Sequence, residues 1–289
     1  MGTSWSLHAV APPPGTAARV QAALDRVVDQ MSQWEAASDL SRFNRAPPDI
    51  WQAIPAEFSA VVAAALDIAA ASGGAFDPCL GAATEAWGFG SAGPVPMLPA
   101  APANGAGSRA IEYDPAAARI RRSADALLDL SGIAKGYGVD LAAERLLASG
   151  VRHFLIEVGG ELRGEGIRPD GQPWWVDVEV PPSWPGAPWR VALHDLSVAT
   201  SGDYRRGVTV GDRHYSHSFD PRTGRPIVNG VRSVTVLHRQ CMLADGWATA
   251  LTVLGAEAGI ALADERGLAA CVLANGREHV SREWSAMLD

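Results

Sequence analysis

Glycine punctuation constrains this chain more than any other feature. The run VRHFLIEVGGELRGEG at 151–166 reads as a strand broken at Gly159-Gly160, because two glycines allow backbone turns that other residues resist. An Ala-rich helical stretch over 56–72 stops at Gly73-Gly74, and a helix over 134–149 closes at Gly150. LADGWATALTVLGAEAGIALADERG divides near Gly255 into two helical pieces; glycine past the last helical turn is the usual stop. Between these stops the hydrophobic period changes repeatedly. Over 16–34, Val20, Leu24, Val27, Val28 and Met31 recur at helical spacing. VRSVTVLHR alternates at Val234 and Val236, WWVDVEV and WRVAL read as further strands, and LAACVLANG as the last strand. MGTSWSLHAV reads as an edge strand, short strands are expected over 110–113 and 119–123, and 196–220 as two strands joined at Gly211-Asp212. SDLSRFNRAPP reads as a polar turn and 91–107, rich in Pro, Gly and Ala, as a surface loop. Mixed elements with several hairpin signals predict an α+β fold of mixed, largely antiparallel sheets flanked by helices, rather than a doubly wound parallel sheet. At 289 residues the chain is expected to form one domain, or two subdomains joined near 91–107.

Composition excludes several functions. A net charge of −8 gives no general attraction to nucleic acid or anionic lipid. No apolar run reaches the roughly 18 residues that cross a bilayer. MGTSWSLHAV has neither a basic n-region nor a small-residue cleavage site, so a cytoplasmic protein is expected as written. A chain trimmed of its leader, and therefore periplasmic or membrane-anchored, would read the same. Cys79, Cys241 and Cys271 are widely spaced with no CxxC, so they are expected as small buried hydrophobes. The GxGxxG and P-loop patterns are both absent. Of 24 basic residues only Lys135 is a lysine. Coding bias accounts for that as well as chemistry does, but a compact ammonium and a planar guanidinium are not interchangeable beside a diphosphate.

Four patches combine polar groups and glycines. Gly73-Gly74-Ala75-Phe76-Asp77-Pro78, followed by WGFG at 87–90, serves equally as a helix stop and turn. In Asp129-Leu130-Ser131-Gly132-Ile133-Ala134-Lys135-Gly136 a strand meets a helix start, whose free N–H groups suit a phosphate oxygen unless Asp129 or Ser131 merely caps it. The third patch joins ATSGDY, ending at Tyr204, to HYSHSFDPRTG, where His217 lies between Tyr215 and Asp220. In the fourth, ADGWATA, Asp245 and Thr249 stand four apart, so that on a helix both oxygens reach one hard cation. Asp245 as a helix cap is the plainer alternative.

In this order the patches resemble the FAD:protein FMN transferase (ApbE) family. The likeness runs from Met1-Gly2-Thr3 and SDLSRFN through GGAFDP, WGFG, LDLSGIAKGYGVD, Gly159-Gly160, ATSGDY and YSHSFDPRTGRPI to ADGWAT, nearly the whole chain. It implies FAD as substrate, with flavin contacts from Met1, Trp34, Ala75, Phe76, Asp77, Asp129, Lys135 and Phe219. It implies Mg²⁺ held by Asp245, Thr249 and a backbone oxygen of Gly132, with Ala134 the close alternative, and catalysis involving His217, Asp245 and Lys135. Trp34 stands where Tyr is common, Phe219 where an aliphatic residue is common, and Glu161 where Asp is common. The activity implied is transfer of FMN from FAD to a Thr or Ser hydroxyl in a flavinylation motif of a partner protein, with release of AMP. An FAD hydrolase and a non-catalytic FAD-binding protein would share the binding motifs. Family members are often exported or lipid-anchored, which sets the compartment against the expectation from the N-terminus.

Overall fold

The structure, a computed structural model, describes residues 2–95, 107–123, 126–182, 184–203, 207–210 and 213–287. Met1, Tyr204, Gly211-Asp212 and most of the 91–107 loop lie outside the described residues. In chain order, β1 (Trp5–Ala9) is followed by α1 (Thr16–Met31), α2 (Asp39–Arg45), β2 (Gln52–Ala53), α3 (Ala56–Ala71) and α4 (Gly81–Ala86). Then come β3 (Ile111–Asp114), β4 (Arg119–Arg122), α5 (Ala134–Ala148), β5 (Phe154–Val158), β6 (Glu161–Glu165), β7 (Trp174–Asp177), β8 (Arg190–Leu193) and β9 (Leu196–Gly202). The last part holds β10 (Gly207–Val210), β11 (Arg213–Ser216), β12 (Phe219–Asp220), β13 (Arg225–Pro226), β14 (Val231–His238), α6 (Cys241–Leu254), α7 (Ala256–Arg266), β15 (Ala269–Ala274), β16 (Arg277–Val280) and α8 (Arg282–Ala286).

A seven-stranded sheet of order β1-β5-β6-β9-β14-β15-β16 organises the molecule. Each neighbouring pair in it is antiparallel, and β1 is an edge. The α+β expectation therefore holds. The β5–β6 turn is possible because Gly159 and Gly160 take φ of 62° and 104°, values that cost other residues steric strain. Alternation along β14 sends Val234 and Val236 into one apolar cluster and Leu237 into another on the opposite face. The first cluster packs α1, α5 and α6 on the sheet; the second lies under the β7–β8 hairpin and α8, with Trp174, Leu193 and Trp284. Burying a side chain of this size contributes roughly 1.5–3 kcal/mol before entropy is subtracted. All three cysteines are buried and free, as expected.

Three local expectations change. SDLSRFNRAPP is not a turn: Ser38 accepts the Ser41 N–H at 3.0 Å and caps α2, whose Leu40 and Phe43 are buried. Its apolar residues are too few for periodicity to register, but two of them three apart suffice for one face. Between 196 and 220 the chain forms four short strands rather than two; Ser216 Oγ accepts the Ser218 N–H at 3.1 Å, ending β11 before Phe219. LAACVLANG is not the last strand: β16 and α8 follow it, and β16 pairs with β15. Among the described residues no helix is long and apolar enough to cross a membrane.

Candidate active site

Site residues gather where α5 and α6 begin side by side. Asp129 Oδ1 accepts the Ser131 N–H at 2.9 Å and the Ser131 hydroxyl, and Oδ2 accepts the Thr84 hydroxyl at 3.1 Å. Neither Asp129 nor Ser131 caps α5, whose first residue follows Ile133 without a side-chain bond. Two of the first amides of α5 are already engaged within the fold. The Ala134 N–H donates to Leu130 O at 2.8 Å, and the Gly136 N–H donates to Asp245 Oδ2 at 3.0 Å. Among the described residues that line the cavity, Lys135 carries the one ammonium.

Asp245 is the fifth residue of α6 and is 5% exposed, so it is not a cap. Its Oδ1 lies 3.9 Å from Lys135 Nζ, and Lys135 also pairs with the buried Glu161. Burial pushes the Lys135 ammonium down, but Asp245 and Glu161 outweigh it and hold it above the ordinary lysine value. Burial raises the Asp245 carboxyl, against the pull of Lys135 and the Gly136 N–H. One helical turn on, Thr249 Oγ1 lies 3.4 Å from Gly132 O. A Cβ on Gly132 would sit 3.0 Å from that hydroxyl, so a glycine here lets the loop approach α6. Gly132 precedes α5, whereas Ala134 lies within it and its carbonyl belongs to the helix ladder. Among the described residues no three His, Cys, Asp or Glu side chains converge on one point. An ion here would take a carboxylate, a hydroxyl and a carbonyl, the hard oxygen set that suits Mg²⁺ with water or phosphate completing its shell.

These groups open into a cavity of about 320 Å³, lined also by Trp34, Ala75, Phe76, Asp77, Asp129, Glu161, His217 and Phe219. That volume is within the range of small-molecule sites. Every described residue expected at the site lines it. Phe76 is buried and Trp34 is 45% exposed, and both line the cavity. Asp77 accepts the Cys79 and Ser108 N–H groups at 2.8 and 3.1 Å, and burial raises its carboxyl in spite of both bonds. Trp87 and Phe89 of the WGFG segment do not line the cavity. They pack behind it, Trp87 5.4 Å from Tyr215 and Phe89 6.5 Å from His217 and 5.9 Å from Phe219, between ring centres. Sequence reasoning missed Thr84, Ser32 and Thr3 as lining residues. Thr84 lies on α4, for which the period gave no signal. Val27 and Met31 were seen only as core, although the end of α1 serves both purposes.

A sequence profile of the ApbE family matches residues 1–272. An FAD:protein FMN transferase of Vibrio cholerae is 35% identical over 277 residues, which cover 91% of this chain and 82% of that protein. One from Haemophilus influenzae is 33% identical over 261 residues, covering 86% and 75%. Among solved structures, the flavin transferase ApbE from Vibrio cholerae superposes with a TM-score of 0.90 at 32% identity, over 99% of this chain and 96% of that one. The apo flavinyl transferase ApbE of Pseudomonas stutzeri gives 0.87 at 32% identity, with coverage of 99% and 96%.

Proposed function

The chain belongs to the ApbE family, and on that premise we propose that its cavity takes FAD and passes the FMN half to a Thr or Ser hydroxyl of a partner protein. It is an enzyme, a flavin transferase. The observation that carries the finer reading is the meeting of Lys135, Asp245, Thr249, Gly132 O and His217 around one cavity with an aromatic wall.

In the proposed reaction the acceptor oxygen attacks the FMN-side phosphorus. A new P–O bond forms, the bond to the bridging oxygen breaks, and AMP leaves with that oxygen. Such transfers depend mainly on positioning and charge neutralisation. The described lining residues include four carboxylates, Asp77, Asp129, Glu161 and Asp245, against one ammonium, Lys135, so a diphosphate needs further positive charge. Asp245, Thr249 and Gly132 O would hold Mg²⁺, which when bound would neutralise diphosphate oxygens. Lys135 contributes its ammonium to the same oxygens, and Glu161 keeps it aimed there. His217 takes the acceptor proton; Asp245, engaged with Lys135 and Gly136 and assigned to hold the cation, would be a poorer base. Phe76 and Trp34 hold the ring, and the aromatic packing of Phe89 steadies His217.

Incubation with FAD, Mg²⁺ and a protein bearing a flavinylation motif, read by mass spectrometry, tests this. A covalent FMN adduct on Thr or Ser with one AMP per adduct is expected, and EDTA should abolish it. AMP without adduct would favour a hydrolase, and bound FAD without either product a binding protein.

A further inference from the structure

We infer that Asp140, with Arg163 as its counter-ion, is a positioning residue that sets the register of α6 against α5 and thereby the geometry of the divalent-cation site. The inference rests on the proposed reading of Asp245, Thr249 and Gly132 O as the cation's ligands.

Asp140 lies on α5, is buried, and is absent from the cavity lining. Its carboxylate caps a different helix. Oδ1 accepts the Cys241 N–H at 3.0 Å and Oδ2 the Met242 N–H at 2.9 Å, the first two amides of α6. The residue preceding α6, Gln240, supplies no side-chain cap of its own. A helix start leaves such amides unsatisfied unless something outside the helix accepts them. Four residues earlier on α5 and four later on α6, the bond runs the other way, from the Gly136 N–H to Asp245 Oδ2 at 3.0 Å. The two helices are thus stitched by two rungs, one of which ends on the proposed cation ligand. The contact is close because position 136 is glycine; a Cβ there would sit 2.3 Å from Cys241 O.

Burying the Asp140 charge requires a partner. Arg163 Nη1 donates to Asp140 Oδ1 at 2.7 Å, and its Nε donates to Glu165 at 2.8 Å. The consequence for the site follows from connectivity. Gly132 O and Lys135 belong to the α5 side, whereas Asp245 and Thr249 ride on α6. Only the register between the helices brings Thr249 Oγ1 to 3.4 Å from Gly132 O. A slip of α6 along α5 separates the ligands without removing any of them.

The test measures Mn²⁺ binding directly, from the free-ion electron paramagnetic resonance signal, on full-length wild type, Asp140→Asn, Arg163→Lys, Asp245→Ala and Ser281→Ala. Ser281 caps α8 and lines no part of the cavity, so it controls for a general loss of stability. Outer-shell partners typically change metal affinity roughly 10–100-fold. Asp140→Asn should raise the Mn²⁺ dissociation constant by about 10-fold or more, with Arg163→Lys in the same direction. FAD affinity in EDTA, read by flavin fluorescence, should stay within about 2-fold, because no ring contact changes. Unchanged Mn²⁺ affinity in folded Asp140→Asn overturns the inference. Equal weakening in Ser281→Ala overturns it as well. Should Asp140→Asn not fold, unchanged affinity in Arg163→Lys overturns it. Wild-type affinity in Asp245→Ala instead overturns the cation reading on which it rests.

Discussion

Lys135 Nζ lies 3.9 Å from Asp245 Oδ1 while its other side pairs with Glu161. The ammonium therefore sits beside the proposed cation ligand, held by a second carboxylate. A guanidinium is too broad and planar for that position. A charge-assisted hydrogen bond contributes roughly 1.5–3 kcal/mol, and about 1.4 kcal/mol is tenfold in affinity. Lys135→Arg should weaken FAD binding by about 10-fold or more in a flavin fluorescence titration. An Arg variant with wild-type affinity would return the single lysine to coding bias.

Gly136→Ala places a methyl carbon 2.3 Å from Cys241 O, a backbone atom that cannot rotate away. Alanine is favoured over glycine in a helix by about 1 kcal/mol, but overpacking costs roughly 1–3 kcal/mol and here also pulls the Gly136 N–H from Asp245. The steric effect should win. Thermal unfolding should shift downward, at about 2–4 °C per kcal/mol for a chain of this size. A rise in the midpoint would show that the helices separate freely.

Removal of the proposed base separates binding from chemistry. His217→Ala keeps Lys135, Phe76 and the oxygen ligands, so FAD should bind within about 3-fold of wild type. Adduct formation should slow by roughly 10²–10⁴-fold, the usual contribution of a positioned acid or base. Stopped-time mass spectrometry of the acceptor reads the rate. Loss of FAD binding in proportion to activity would move His217 from the chemistry to ligand binding.

Asp77 gives a pH signature. Burial raises its carboxyl above the ordinary 3.8. A folded value above the unfolded one means stability that is fully present below about 3.8 and lost as pH rises through the folded value. Asp77→Asn carries no such titration. The stability of wild type relative to Asp77→Asn should therefore increase as pH is lowered from 7 toward 4, read from paired denaturant midpoints. A difference that shrinks on acidification would reverse the sign and show that the Cys79 and Ser108 N–H bonds outweigh burial.

Local residue chemistry is enough to set the stops and the periods. Gly73-Gly74, Gly150, Gly159-Gly160 and Gly255 each end or turn an element, because a residue's access to positive φ is a property of its own side chain. The alternation of β14 and the helical spacing of α1 are likewise local, and so is the i, i+4 pair of Asp245 and Thr249. What stands across from each of them is not local. The Gly136–Asp245 bond spans 109 positions and the Thr249–Gly132 contact 117, distances over which no period in the chain carries information. Tertiary packing decided that the Gly136 amide serves a carboxylate rather than a phosphate. It also decided that Asp245 sits inside α6 rather than at its cap, and that WGFG backs His217 rather than lining the cavity. These outcomes depend on which surfaces meet when the helices pack on the sheet, and close packing leaves each polar group only the partner that packing brings within reach.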